Sequence, residues 1–168
     1  TFTYRDYSNF FASFSNNQLN ELSDFLQILK YSDSKDIQAT IYFYLAIISY
    51  QVGNNNLSFS YIMEFSRLMP DEVMTFILLG NIYYNRQDYI AALSEYQKIL
   101  WVYPNDTTAL FQQALCFYQL NYYEDSKLNF NKILSNDDNH YESIYYLALI
   151  EYESENYDMA IDLFSRLL

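Results

Sequence analysis

Glycine and proline are nearly missing from this chain, with two of each in 168 residues. Tight glycine turns of the kind that join strands therefore have little support, which argues against a strand-rich fold. The single cysteine, Cys116, has no partner for an intrachain disulfide and so fixes no redox compartment. The single histidine, His140, excludes a histidine pair for zinc and most acid–base dyads, and Cys116 has no activating neighbour in sequence. A glycine-rich phosphate loop is also missing. Positive charge is scarce, with Lys+Arg 9 against Asp+Glu 21 and a formal net charge of -12, which repels nucleic-acid phosphates and anionic lipid headgroups. No apolar run approaches the ~18 residues of a bilayer span. The richest stretch, IYFYLAIISY from residue 41, is halted by Gln51, Gly53 and the asparagines that follow. A soluble, non-catalytic segment is expected, with no cofactor, no nucleic-acid partner and no direct membrane insertion.

What the chain has in quantity is apolar and aromatic surface, 51% and 20% of residues. That is enough to offset the entropy of ordering, so the disordered class is excluded. The apolar residues repeat. Ala46, Gly80, Ala114 and Ala148 are evenly spaced at a period of about 34 residues. A second ladder of small residues, Ser58, Ala92, Ser126 and Ala160, keeps step, with Ile62, Tyr96, Phe130 and Phe164 four residues later on the same helical face. Each unit reads as helix, short polar turn, helix; in the clearest case the helices are expected over 75–86 and 90–102. Cap-forming residues fill the turns: Gly53 with Asn54 to Asn56, Asp88, Asn121, and Asn156 with Asp158.

Phe76, Leu79, Gly80, Tyr83, Ala92, Tyr96 and Pro104 stand at the spacing of the tetratricopeptide pattern, and residues 39–168 resemble that family, most closely in LGNIYYNRQDYIAALSEYQKILWVYPND. The resemblance implies an all-α, right-handed superhelical solenoid of antiparallel helix pairs with a concave groove, in four repeats over 39–72, 73–106, 107–140 and 141–168. Departures are visible. Tyr42, Phe76, Leu110 and Ile144 stand where the family often has tryptophan, and Gln113 replaces a leucine that should be buried. Residues 1–38 fit as a divergent helical hairpin or capping repeat, with stripes Tyr7, Phe10, Phe11, Phe14 and Leu19, Leu22, Phe25, Leu26, Leu29 packed on Ile41, Tyr44 and Leu45. Asp24 breaks the second small-residue ladder there. The rival reading has the first 14 residues folded back into the groove.

In this family the first helix of each repeat lines the groove. Carried over by position, the peptide-binding residues are Phe43, Ile47 and Tyr50, then Ile77, Asn81, Tyr84 and Asn85, then Phe111, Leu115 and Tyr118, then Tyr145 and Tyr152. Tyr50, Tyr84, Tyr118 and Tyr152 form a tyrosine row that either contacts a peptide or packs between repeats. Asn81 and Asn85 could pair with an extended peptide backbone. Co-chaperones of the family clamp a terminal carboxylate with lysine and arginine, but here Phe43, Ile77, Tyr44 and Phe111 occupy those places. The partner is therefore expected to be a protein segment that is apolar or has basic flanks, with Glu142, Glu151, Glu153 and Glu155 clustered around Tyr145 and Tyr152.

Asp137, Asp138, Asn139 and His140 lack calcium-loop spacing and read as a polar turn. Asp36 and Glu72 are exposed-turn carboxylates. The chain begins at Thr1 and ends in LFSRLL, and an excerpt or processed product is expected, cytoplasmic or periplasmic, or one cut from a longer membrane-associated protein. The expected function is a scaffold or adaptor binding an apolar or basic-flanked peptide or helix in its groove. The alternatives are a small acidic secretion-type chaperone for an exported protein, or an assembly subunit that uses its convex face or self-associates through Leu167 and Leu168.

Overall fold

The computed structural model describes residues 9–70 and 72–168, and these are helical apart from turns. Residues 9–12 form a short helical stretch. After it come α1 (Asn16–Leu29), α2 (Lys35–Gln51), α3 (Asn55–Leu68), α4 (Val73–Asn85), α5 (Tyr89–Val102), α6 (Thr107–Gln119), α7 (Tyr123–Leu134), α8 (Tyr141–Glu153) and α9 (Tyr157–Ser165). One compact unit ends at Arg86 and a second runs from Gln87 to Leu168. In the first, α1 packs on α2, α2 on α3 and α3 on α4; in the second, α5 packs on α6, α6 on α7, α7 on α8 and α8 on α9.

Side chains at the helix starts explain where the helices begin. Ser15 and Gln18 form a reciprocal capping box on α1, while Ser34, Asn54, Asp88 and Asp106 accept backbone amide protons at the starts of α2, α3, α5 and α6. The helix ends follow one device repeated four times. Gly53, Gln87, Asn121 and Glu155 all take positive φ, at 81°, 62°, 59° and 63°, and they recur at the period of the small-residue ladders. Beyond three of them the amides of Asn54, Tyr122 and Asn156 donate back to the carbonyls of Ser49, Phe117 and Glu151, closing the turn that ends a helix on a left-handed residue.

Only Gly53 and Asn121 belong to the residue types that favour this conformation. A Cβ in the left-handed region costs roughly 1–2 kcal/mol, and the added freedom of glycine in the unfolded chain takes back about 0.4–1 kcal/mol. Gln87→Gly and Glu155→Gly should each therefore stabilise the protein by about 0.5–1 kcal/mol. Urea titration checks the sign, and a fall in midpoint would show that the side chains contribute more than the strain they impose.

Both ladders lie where helices approach most closely. Ala46, Ala114 and Ala148 are fully buried, as are Ser58, Ala92 and Ser126, and Ala160 nearly so. The two serines add a bond the alanines cannot: Ser58 Oγ donates to the Ala46 carbonyl at 2.7 Å and Ser126 Oγ to that of Ala114 at 2.9 Å. A small residue there lets the backbones touch, and a hydroxyl pins them.

Residues 9–29 depart in part from the stripes expected of them. Leu19 and Leu26 are buried, Leu22 packs at the core margin, and Phe11 meets Tyr44 edge-on at 5.7 Å. Phe25 and Leu29, expected in the same stripe, are exposed at 57% and 42%. Asp24 is exposed as well. Tyr7 lies outside the described residues.

Candidate functional site

The groove positions of the first unit fall on α2 and α4. Phe43 and Ile47 are part of the core, at 4% and 0% exposure, and the Phe43 ring lies 5.2 Å from that of Phe65. They are therefore packing residues and not contact residues, because α1 and α3 both close on α2 and leave its middle little outward surface. Tyr50, Ile77, Asn81 and Tyr84 are half-buried, and Asn85 is exposed. Asn85 Nδ2 donates to Tyr50 Oη at 3.0 Å, so the amide expected to read a peptide backbone is engaged by the preceding repeat. Burial raises the Tyr50 phenol above its usual range, only partly opposed by that hydrogen bond.

In the second unit Phe111 and Tyr118 are half-buried and Leu115 is buried at 9%, while Tyr145 and Tyr152 stand 44% and 57% exposed. Tyr118 Oη donates to Glu153 Oε1 at 2.7 Å, in the same register that links Tyr50 to Asn85. Tyr123 Oη donates to the other carboxylate oxygen of Glu153. The Tyr123 bond, then the Tyr118 bond, lowers the Glu153 carboxyl below the usual range against a small opposing cost of burial. Burial and the same carboxylate raise Tyr118. Two members of the tyrosine row thus spend their hydroxyls between repeats. Tyr152 instead meets Tyr157 edge-on at 5.7 Å.

The acidic cluster divides the same way. Glu151 is buried and lies between Lys127 Nζ at 3.3 Å and Asn156 Nδ2 at 2.7 Å. Hydrogen bonding to Glu124, then to Glu151, raises the Lys127 ammonium against burial. The Glu142 carboxylate, by contrast, is 67% exposed.

One residue at the centre of this face had no sequence signal beyond being one more tyrosine. The Tyr146 ring stacks on Phe130 at 5.6 Å and 12°, and meets Phe111, Tyr118 and Tyr145 edge-on at 5.9, 5.6 and 5.5 Å. Its partners lie up to a full repeat away, so no local pattern marks it.

His140 caps α8, its Nδ1 accepting from the Ser143 amide at 3.2 Å, and Asp137 Oδ1 accepts from the Asn139 amide at 3.1 Å, so the polar turn is satisfied internally. Among the described residues no cluster of His, Cys, Asp and Glu could hold a metal ion. Cys116 is fully buried, which pushes its thiol up to about 12, far from a nucleophilic thiolate. Asp36 lies in the first turn of α2, and Glu72 precedes α4 without a side-chain capping bond. No described helix is long and apolar enough to cross a membrane.

Helix pairs closed by left-handed turns, with small residues at their crossings, define a tetratricopeptide-like helical-repeat protein. Solved structures agree on the fold. MamA from Desulfovibrio magneticus RS-1 superposes with a TM-score of 0.82 at 15% identity, covering 98% of this chain and 90% of that one. YrrB, described as a TPR protein with an unusual peptide-binding site, superposes with a TM-score of 0.73 at 20% identity, covering 98% and 82%. No family model and no curated protein sequence matches the chain.

Proposed function

We propose that the chain is a non-catalytic protein-interaction module that holds an apolar or basic-flanked peptide or helix on the face carried by the first helix of its repeats. The observation that carries this reading is the exposure of Tyr145 and Tyr152, two turns apart on α8, each meeting one ring of α9 edge-on, Phe164 at 6.2 Å and Tyr157 at 5.7 Å. Tyrosine offers broad contact area at small entropic cost, together with a hydroxyl. The half-buried Ile77, Asn81, Tyr84 and Phe111 extend the same kind of surface within their own units. The described peptide-binding site of YrrB, on a similar fold, favours this reading over catalysis.

A second reading, an assembly subunit, draws on Leu128, Met159 and Ile161, exposed at 68%, 57% and 65% on the second helices. The two are separated by variants tested against one partner, purified with the full protein from its own cells. Tyr152→Ala combined with Asn81→Ala should weaken that complex about fivefold, on the order of 1 kcal/mol, with unchanged circular dichroism. If affinity holds and Ile161→Ser abolishes binding instead, the second-helix face is the interface.

A further inference from the structure

Of the four glutamates grouped near the end of the chain, Glu151 and Glu153 are spent on internal partners, while Glu142 keeps an exposed carboxylate at the rim of a concavity of about 520 Å³. Tyr141, Tyr145, Tyr146 and Leu167 line the rest of it. The Tyr145 and Tyr146 rings stand 5.5 Å apart at 80°, so they form two walls of a corner. Both walls are braced, Tyr146 by its stack on Phe130 and Tyr145 by the edge of Phe164 at 6.2 Å. Tyr141, 60% exposed and one turn before Tyr145, adds a third ring on that side of the helix.

Each feature selects the same chemistry. The faces of electron-rich rings attract a cation, and perpendicular rings can contact one from two directions. The carboxylate adds charge pairing at the mouth, and Leu167 offers apolar surface for an aliphatic stem. Among the described residues the basic group that pairs with Glu142 is His140, its Nδ1 at 3.8 Å, and that nitrogen already accepts from the Ser143 amide. The net charge of -12 disfavours an anionic occupant. The volume exceeds one side chain, which suits a side chain entering together with part of its backbone.

We propose that this corner binds the lysine or arginine side chain of a polypeptide, with the cation over Tyr145 and beside Glu142. The proposal rests on the reading of the first-helix face as the contact surface and supplies the partner's chemistry: a basic residue beside an apolar segment.

The test is a ring-resonance titration of the full chain by NMR, with the Tyr145 signals assigned through Tyr145→Phe. Two probes are compared, N-acetyl-lysine N-methylamide and the uncharged N-acetyl-norleucine N-methylamide. The lysine probe should move the Tyr145 signals saturably with a Kd in the range of about 1–10 mM, and norleucine should bind at least about tenfold more weakly. Glu142→Gln, an exposed change that leaves the helix intact, should weaken the lysine probe about threefold, and Tyr145→Ala should abolish its binding. Equal response to both probes, no saturable response to lysine, or binding indifferent to both variants overturns the proposal. Such a failure leaves the peptide-contact reading standing if Tyr152→Ala with Asn81→Ala still weakens the partner complex. Loss of that effect with the lysine response intact would instead remove the wider reading and keep the cation site.

Discussion

Phe130→Ala should destabilise the second unit by about 3–5 kcal/mol, the largest effect expected of any single truncation on its aromatic cluster. The side chain is fully buried, stacked on Tyr146 and edge-on to Phe111 at 5.6 Å. Truncation removes its transfer energy and also leaves a void, because the rings around it are held by other contacts and cannot collapse freely. Hydrogen exchange should show loss of protection in α6, α7 and α8, and urea unfolding should give the magnitude. A loss under about 1 kcal/mol would mean that Tyr146 swings into the gap and that the cluster is compliant. The consequence reaches function, since Phe130 braces Tyr146 and Tyr146 is one wall of the corner at Tyr145. Phe130→Leu, which keeps most of the volume, should lose much less.

Gln113→Leu should cost about 1–3 kcal/mol even though leucine is what the repeat pattern expects there. Gln113 is buried at 7% and serves two amides: its Oε1 accepts from Asn129 Nδ2 at 2.9 Å, and its Nε2 donates to Gln97 Oε1 at 3.0 Å. Asn129 is itself buried at 8%. Leucine would leave the Asn129 amide without a partner and out of reach of water, whereas half-buried Gln97 can turn toward solvent. Gln113→Leu with Asn129→Leu should therefore recover most of the loss, because both ends of the bond leave together. Additive single effects in that double-mutant cycle would show that the amide chain is not what holds α6 to α7.

Some features of the fold could be read from the sequence and others could not. The ladders Ala46–Gly80–Ala114–Ala148 and Ser58–Ala92–Ser126–Ala160 were legible because close helix crossing admits only small side chains, which leaves a compositional trace at every repeat. Gly53 and Asn121 were legible as turn residues for the same kind of reason. Gln87 and Glu155 were not, since nothing in a glutamine or glutamate announces positive φ; only the register of the other two would have pointed to them. The candidate site was legible as a set of positions but not as a set of available groups. Phe43 and Ile47 went to the core, and Asn85 and Glu153 were taken by tyrosines.

By itself, the sequence determined the helical period, the small residues of the two ladders and the turns marked by Gly53, Asp88 and Asn121, because those depend on side-chain size and on capping partners within a few residues. Which members of a face remain free for a ligand was decided only by the tertiary structure. Burial and hydrogen-bond partners come from side chains a repeat away, and that distance separates the spent carboxylate of Glu153 from the exposed one of Glu142.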